Sequence, residues 1–157
     1  MRLEYFQLID RIVDLNLVDR TIRSEAVVPM ESTIFEGHFP GYPLMPGVLL
    51  IESMAQTSGW LVVALHRFER MPFLAQVKDA KFRTFVTPGQ RMAVSAKLIH
   101  DGSGYAMTKA SISIDDKPIC DASLTFKVLE FPNEEMAQQM RATAARVGLP
   151  SEVPAHG

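Results

Sequence analysis

The apolar positions of this chain change period along its length, and each change marks an element. From Asp10 to Pro29 they recur in strand-like fashion, at Ile12, Val13, Leu15 and Leu17 and then at Ile22, Ala26, Val27 and Val28. Val48 to Leu65 is apolar nearly all round, interrupted by Glu52, Gln56 and Thr57-Ser58-Gly59. That is the pattern of a helix enclosed by a core. Pro46-Gly47 opens it, it is expected to run to about Arg67, and its Trp60, Leu61 and Val62 should be well covered. After Met71-Pro72 a period of two takes over. Phe73 to Val86 predicts a strand ended by Thr87-Pro88-Gly89-Gln90, and Met92 to His100 a second, followed by a turn at Asp101-Gly102-Ser103-Gly104. Tyr105 to Ile114, a turn at Asp115-Asp116-Lys117, and Ile119 to Phe131 complete the series. Successive strands joined by tight turns predict an antiparallel meander. With the long helix this gives an α+β class, a sheet wrapped around a central helix.

The flanks read differently. Residues 1–10 are expected to form a short amphipathic helix with Leu3, Phe6, Leu8 and Ile9 on one side. Glu31 to Pro46 contains Gly37, Pro40, Gly41, Pro43 and Pro46, and is expected to be loop. Residues 133–148 form a polar, Ala-rich helix candidate ending at Gly148, and Pro150 to Gly157 a frayed tail. The division expected is a single domain over 1–131 and a helical extension with tail over 132–157.

Composition narrows the class of function. At 157 residues, with 47% hydrophobic and 22% charged, the chain suits one soluble domain. A formal net charge of −2 gives no electrostatic support for a nucleic-acid partner. The single cysteine, Cys120, has no disulfide or zinc-type spacing and suits a reducing cytoplasm. Glu4 and Asp10 do not fit a secretory leader. Membrane insertion would need about 20 predominantly apolar residues, and Glu52 lies inside the only candidate run.

The candidate chemistry lies between Phe35 and Gln56, FEGHFPGYPLMPGVLLIESMAQ. His38 sits in the Gly/Pro-rich loop, and imidazole titrates near neutrality, at about pH 6.5 unperturbed. Glu52 sits in the apolar helix, where burial disfavours its charged form and raises its pKa. A loop histidine often only hydrogen-bonds a turn, and a buried carboxylate is often satisfied by backbone. The two together are what proton transfer requires. Gln56 lies one helical turn beyond Glu52 on the same face, placed to orient the carboxyl or to pack at an interface.

GHFPGYPLMPGVLLIESMAQ, from Gly37 to Gln56, resembles the signature of the FabZ-type 3-hydroxyacyl-[acyl-carrier-protein] dehydratases. Phe82-Arg83 with Val86, Pro88 and Gly89 resembles that family's later strand and turn. The resemblance implies a hot-dog fold and a hydro-lyase of fatty acid elongation. Its reaction is dehydration of a (3R)-3-hydroxyacyl-[acyl-carrier-protein] to the trans-2-enoyl form, with no cofactor and no metal. It implies His38 as the base at C2 and Glu52 as the acid for the departing hydroxyl, acting directly or through water. At the helix start, the N–H groups of Gly47 and Val48 have the positive end of the helix dipole behind them and can hold the enolate oxygen.

In the family the two catalytic side chains of one site come from different subunits, implying a homodimer or a trimer of dimers. The acyl chain would lie in a tunnel between them, with Phe39, Met45 and Phe85 as candidate lining, beside Phe35, Met54 and Trp60. An acidic acyl carrier protein would dock on Lys78, Lys81, Arg83 and Arg91. The chain departs from the family pattern in three places. Leu3-Glu4-Tyr5-Phe6-Gln7 lacks the usual proline, Gln90 replaces the aspartate of a Pro-Gly-Asp turn, and the extension past Phe131 is long. LEYFQLIDR and HDGSGYAMTKA are similar to a branch linked to the very-long-chain fatty acids of lipid A.

Three rival readings remain. A hot-dog acyl thioesterase would use Glu52 to activate water and leave His38 without a task. A dehydratase that also isomerises the double bond usually has Asp at the Glu52 position. A non-catalytic acyl-binding hot-dog protein would have no need of both His38 and Glu52.

Overall fold

In the computed structural model, which describes residues 1–149, the strand-like stretch before Pro29 becomes β1 (Arg11–Asn16) and β2 (Thr21–Val27). The later alternating stretches become β3 (Met71–Phe82), β4 (Arg91–Gly102), β5 (Tyr105–Ile114) and β6 (Lys117–Leu129). All pairings are antiparallel, in the order β1-β2-β4-β5-β6-β3. The meander therefore holds for β4-β5-β6 but not for β3, which pairs with β6 at the far edge instead of beside β4.

The reason is the link from Phe82 to Arg91, which is a crossing and not a tight turn. Arg83 N–H donates to the Ile119 carbonyl at 2.8 Å, and Gly89 N–H to the Val28 carbonyl at 2.8 Å. The link thus leaves the sheet beside β6 and returns beside β2, and β3 ends at Phe82, short of the expected Val86. At the two hairpins of the β4-β5-β6 meander the turn residues take left-handed dihedrals, Ser103 with Gly104 and Asp115 with Asp116. Such dihedrals match the twist of a two-residue hairpin.

The long apolar run is α2 (Gly47–Leu65), with Trp60, Leu61 and Val62 all buried. The sheet curls over it, and α2 packs against β2, β3, β4, β5 and β6. Facing it are Met92, Val94, Ala96 and Leu98 of β4 and Ala106, Ala110 and Ile112 of β5. By length and composition α2 could cross a membrane, but 67% of its apolar window is buried inside this fold. Its buried hydroxyls are paired. Ser24 bonds Thr57 at 2.7 Å, Thr57 donates to the Ser53 carbonyl at 2.9 Å, and Thr108 donates to Ser58 at 2.9 Å. Each such group would cost about 1–3 kcal/mol if left unpaired.

Two expectations for the N-terminal part are corrected. The first ten residues do not form an amphipathic helix. Only Leu3–Tyr5 makes a 3₁₀ turn, ended by Phe6 at φ 56°, and Phe6 is exposed while Leu3, Leu8 and Ile9 are buried. Side chains of α2 capture this backbone instead. Gln56 Oε1 accepts from Leu8 N–H at 3.1 Å, Gln56 Nε2 donates to the Phe6 carbonyl at 2.9 Å, and Ser53 Oγ to the Leu8 carbonyl at 2.9 Å.

The segment 31–46 is not all loop, because Thr33–Gly37 forms a five-residue helix, α1. Ser32 caps it, accepting from Ile34 N–H at 3.1 Å, and the Glu4 carboxylate accepts from Ser32 Oγ and Thr33 N–H.

At the other end α3 (Glu134–Val147) forms as expected, capped by Asn133 and closed by Gly148 at φ 86°. It packs against β1, and Ala144, Val147 and Leu149 are buried in the same core as the strands. The expected tail over 150–157 lies outside the described residues.

Candidate active site

His38 is held by the local chain on three sides. Its N–H donates to the Ile34 carbonyl at 3.1 Å, its carbonyl accepts from Leu44 N–H at 3.0 Å, and its ring Nδ1 lies 2.9 Å from the Leu44 carbonyl. A carbonyl only accepts, so Nδ1 carries a proton, and in the neutral ring the lone pair is on Nε2. The intervening residues can close because Phe39-Pro40-Gly41-Tyr42 is a turn in which Tyr42 N–H donates to the Phe39 carbonyl at 2.8 Å. Proline is second and glycine, at φ 74°, is third, the order a type II turn needs. The Phe39 ring stacks on the imidazole at 4.1 Å between centroids. Met45 N–H, donating to the Val86 carbonyl at 2.8 Å, ties the loop to the crossing after β3.

Glu52 lies in the second turn of α2 and is half-buried. Burial pushes its carboxyl above the ordinary carboxylate range, and a hydrogen bond from Gln56 partly offsets that rise. Because Gln56 Oε1 accepts from Leu8 N–H, its amide nitrogen must face Glu52, and it donates to Oε1 at 3.2 Å. The carboxyl opens on a cavity of about 420 Å³. Ala55, Trp60 and Val63 of α2, with Leu74 and Phe126 of the sheet, form its apolar floor. Tyr5, Phe6 and Gln7, and α3 through Met140, Thr143, Arg146 and Val147, complete the wall.

The start of α2 is the third part. Pro46 is its N-cap, one position before the first turn, and its carbonyl accepts from Leu49 and Leu50 N–H at 3.0 and 3.3 Å. The N–H groups of Gly47 and Val48 precede those bonds, and Val48 is 70% exposed. A Cβ on Gly47 would lie 3.3 Å from Phe82 Cε1, tighter than ordinary contact, so the helix start approaches β3 closely because residue 47 is glycine.

Within one chain, the parts are not all brought together. His38 does not line the cavity that Glu52 faces, and no hydrogen bond joins the two among the described residues. Of the tunnel candidates, Trp60 lines that cavity. Phe39 lines a separate cleft beside α1, Phe85 is exposed, and Met45 and Met54 are buried in the core. Among the docking candidates, Arg83 pairs with Asp121 and Arg91 lies 3.5 Å from Glu25, whereas Lys78 and Lys81 lie exposed on β3. Among the described residues no three His, Cys, Asp or Glu side chains cluster as a metal site. Cys120 is buried, which pushes its thiol up to about 11 and makes it inert. Sequence reasoning expects the N-terminal region to help shape the acyl tunnel, but it misses the wall supplied by α3. No signal points to the latter, since α3 is polar and Ala-rich and reads as solvent-facing.

Comparison with known proteins places these features in context. A family model described as a FabA-like domain matches residues 2–123. The chain is 34% identical over 126 residues to a 3-hydroxyacyl-[acyl-carrier-protein] dehydratase FabZ of Fusobacterium nucleatum, covering 80% of this chain and 88% of that one. It is 37% identical over 120 residues to the FabZ of Levilactobacillus brevis, covering 76% and 80%. Among solved structures it resembles the dehydratase heterocomplex ApeI:P of Xenorhabdus doucetiae, with a TM-score of 0.64, 17% identity, and 86% and 90% of the two chains covered. That last likeness bears on the fold alone.

Proposed function

The chain belongs to the FabA-like family, and from that membership we propose that it dehydrates 3-hydroxyacyl-[acyl-carrier-protein] in fatty acid biosynthesis, with His38 as base and Glu52 as acid. The observation that carries the residue roles is the opposite preparation of the two groups. His38 has Nδ1–H engaged and Nε2 available, and Glu52 is desolvated so that it tends to keep its proton.

His38 Nε2 takes the proton from C2 of the substrate. The electron pair moves toward the thioester carbonyl, whose oxygen gains negative charge and accepts from Gly47 and Val48 N–H. As the C2–C3 double bond forms, the hydroxyl at C3 leaves with the Glu52 proton as water. Gln56 orients the Glu52 carboxyl. Acid–base groups contribute roughly 10²–10⁴-fold and an oxyanion donor roughly 10²–10³-fold.

One active site takes His38 from one chain and Glu52 from another, in a homodimer or a trimer of dimers. The separation of the two groups within the chain supports this. So does the open edge of β3, where Phe73, Val77 and Phe82 are exposed on a strand paired on one side only. The acyl chain lies between subunits with Phe39 and Phe85 near its path and Met45 behind. The substrate arrives on an acyl carrier protein that meets Lys78 and Lys81 in the cytoplasm. The residues shared with the lipid A branch point to a long acyl chain.

The test is interconversion of 3-hydroxyacyl and trans-2-enoyl carrier-protein substrates of graded chain length. Wild type should interconvert them, and His38→Ala and Glu52→Ala should not. Release of free thiol without enoyl product would make the protein a thioesterase and sink the reading.

A further inference from the structure

The cavity that Glu52 faces follows one face of α2, through Glu52, Ala55, Gln56, Gly59, Trp60 and Val63. From Glu52 to Val63 this stripe is about 16 Å long at the helical rise of about 1.5 Å per residue. Apart from the Glu52–Gln56 pair at one end, its α2 side is apolar or bare, and in the middle Pro72 Cγ lies 3.4 Å from where a Cβ on Gly59 would stand. The opposite wall comes from α3, through Met140, Thr143, Arg146 and Val147.

That wall is fixed in place. Val147 and Leu149 are buried in the core, and Arg141 lies over the Phe68 ring at 5.0 Å. The family-model match stops at residue 123, before α3 begins at Glu134, so this wall lies outside the region that the match covers.

We infer that α3 is the specificity-determining wall of an acyl-chain subsite, with the apolar tail running from Glu52 along α2 and Met140 and Thr143 setting how much of it is accepted. This rests on the dehydratase reading, because the ligand is the acyl chain of that substrate. A carboxyl at one end of a cavity whose α2 floor is otherwise apolar suits a ligand with one reacting polar end and a hydrocarbon remainder. Thr143 is half-buried and its hydroxyl is already used in a 3.0 Å bond to the Gln139 carbonyl, so its contribution to the cavity is shape.

The test measures kcat/KM of the full chain on short and long 3-hydroxyacyl carrier-protein substrates for wild type and Thr143→Trp. Filling the cavity should lower the long-chain value by roughly tenfold or more, as a changed hydrophobic pocket does, while short-chain turnover persists and reports an intact fold. An unchanged ratio, or an equal loss on both substrates, would refute the role of α3. Should Thr143→Trp fail to fold, Met140→Ala decides. A higher long-to-short ratio supports the inference, and an unaltered ratio overturns it. Absence of dehydration in wild type would count against the proposed reaction instead, so the two failures are distinguishable.

Discussion

The loop around His38 and the helical face around Glu52 prepare a side chain by different means. At His38 the work is done by geometry. One backbone bond and one ring-to-backbone bond between His38 and Leu44, with the Pro-Gly turn that closes the loop, fix the orientation of the ring and place a proton on Nδ1. At Glu52 the work is done by the medium. The carboxyl is set against an apolar cavity and its proton affinity rises through burial. A base needs its lone pair aimed, whereas an acid of low intrinsic pKa needs its charged form penalised. A loop can supply the first, and a core helix the second.

The largest expected effect removes the aimed group. His38→Ala should lower dehydration by roughly 10²–10⁴-fold while the thermal transition stays near that of wild type, since the ring is half-buried and outside the main core. Steady-state rates with a melting curve check this, and retention of activity would break the assignment.

Next, Glu52→Gln should lose activity on a similar scale but behave differently in stability. A carboxyl whose folded pKa is raised contributes stability that is present below its unfolded value and lost as pH rises through the folded one. The glutamine variant escapes that loss. Its melting temperature should exceed that of wild type at neutral pH, and the gap should close as the pH is brought down toward about 4. A gap independent of pH would contradict the role of burial.

Gln56→Leu is a smaller change and sharpens the contrast. The Gln56 hydrogen bond lowers the Glu52 pKa, so losing it should move the alkaline limb of the pH–rate profile upward. The same change to a residue near His38 should leave that limb in place. Smallest of all, Gly41→Ala forces a side chain into a left-handed turn residue. It should cost about 1–2 kcal/mol of stability, read by denaturant unfolding, with the Glu52 limb unmoved.

The same contrast explains what could be read before the structure. The run from Val48 to Leu65 reads as a core helix, because Glu52 and its other polar interruptions speak against a membrane span, and the alternation from Met92 to Ile114 reads as strands, because periodicity reports burial directly. Glu52 stands out because a carboxylate is unexpected in an apolar helix, whereas His38 stands out through the GHFP motif around it, since a histidine in a Gly/Pro loop is by itself ordinary. Three things were hidden. The position of β3 depends on where the link from Phe82 to Arg91 crosses, which no local pattern encodes. The path of residues 6–8 is set by Gln56 and Ser53, distant in sequence, and these overrode a helical periodicity. The contribution of α3 to the Glu52 cavity rests on residues such as Thr143 and Arg146 that are unremarkable in an exposed helix.

The central claim is that the aimed base and the desolvated acid of one site belong to different chains. Co-assembling His38→Ala subunits with Glu52→Ala subunits tests it most directly, with dehydration measured before and after exchange of chains. Each mixed pair then has one site with both groups intact, so activity should return from two inactive preparations toward half that of a wild-type pair. Mixed assemblies that form and stay inactive would contradict the claim, placing both groups of each site within a single chain.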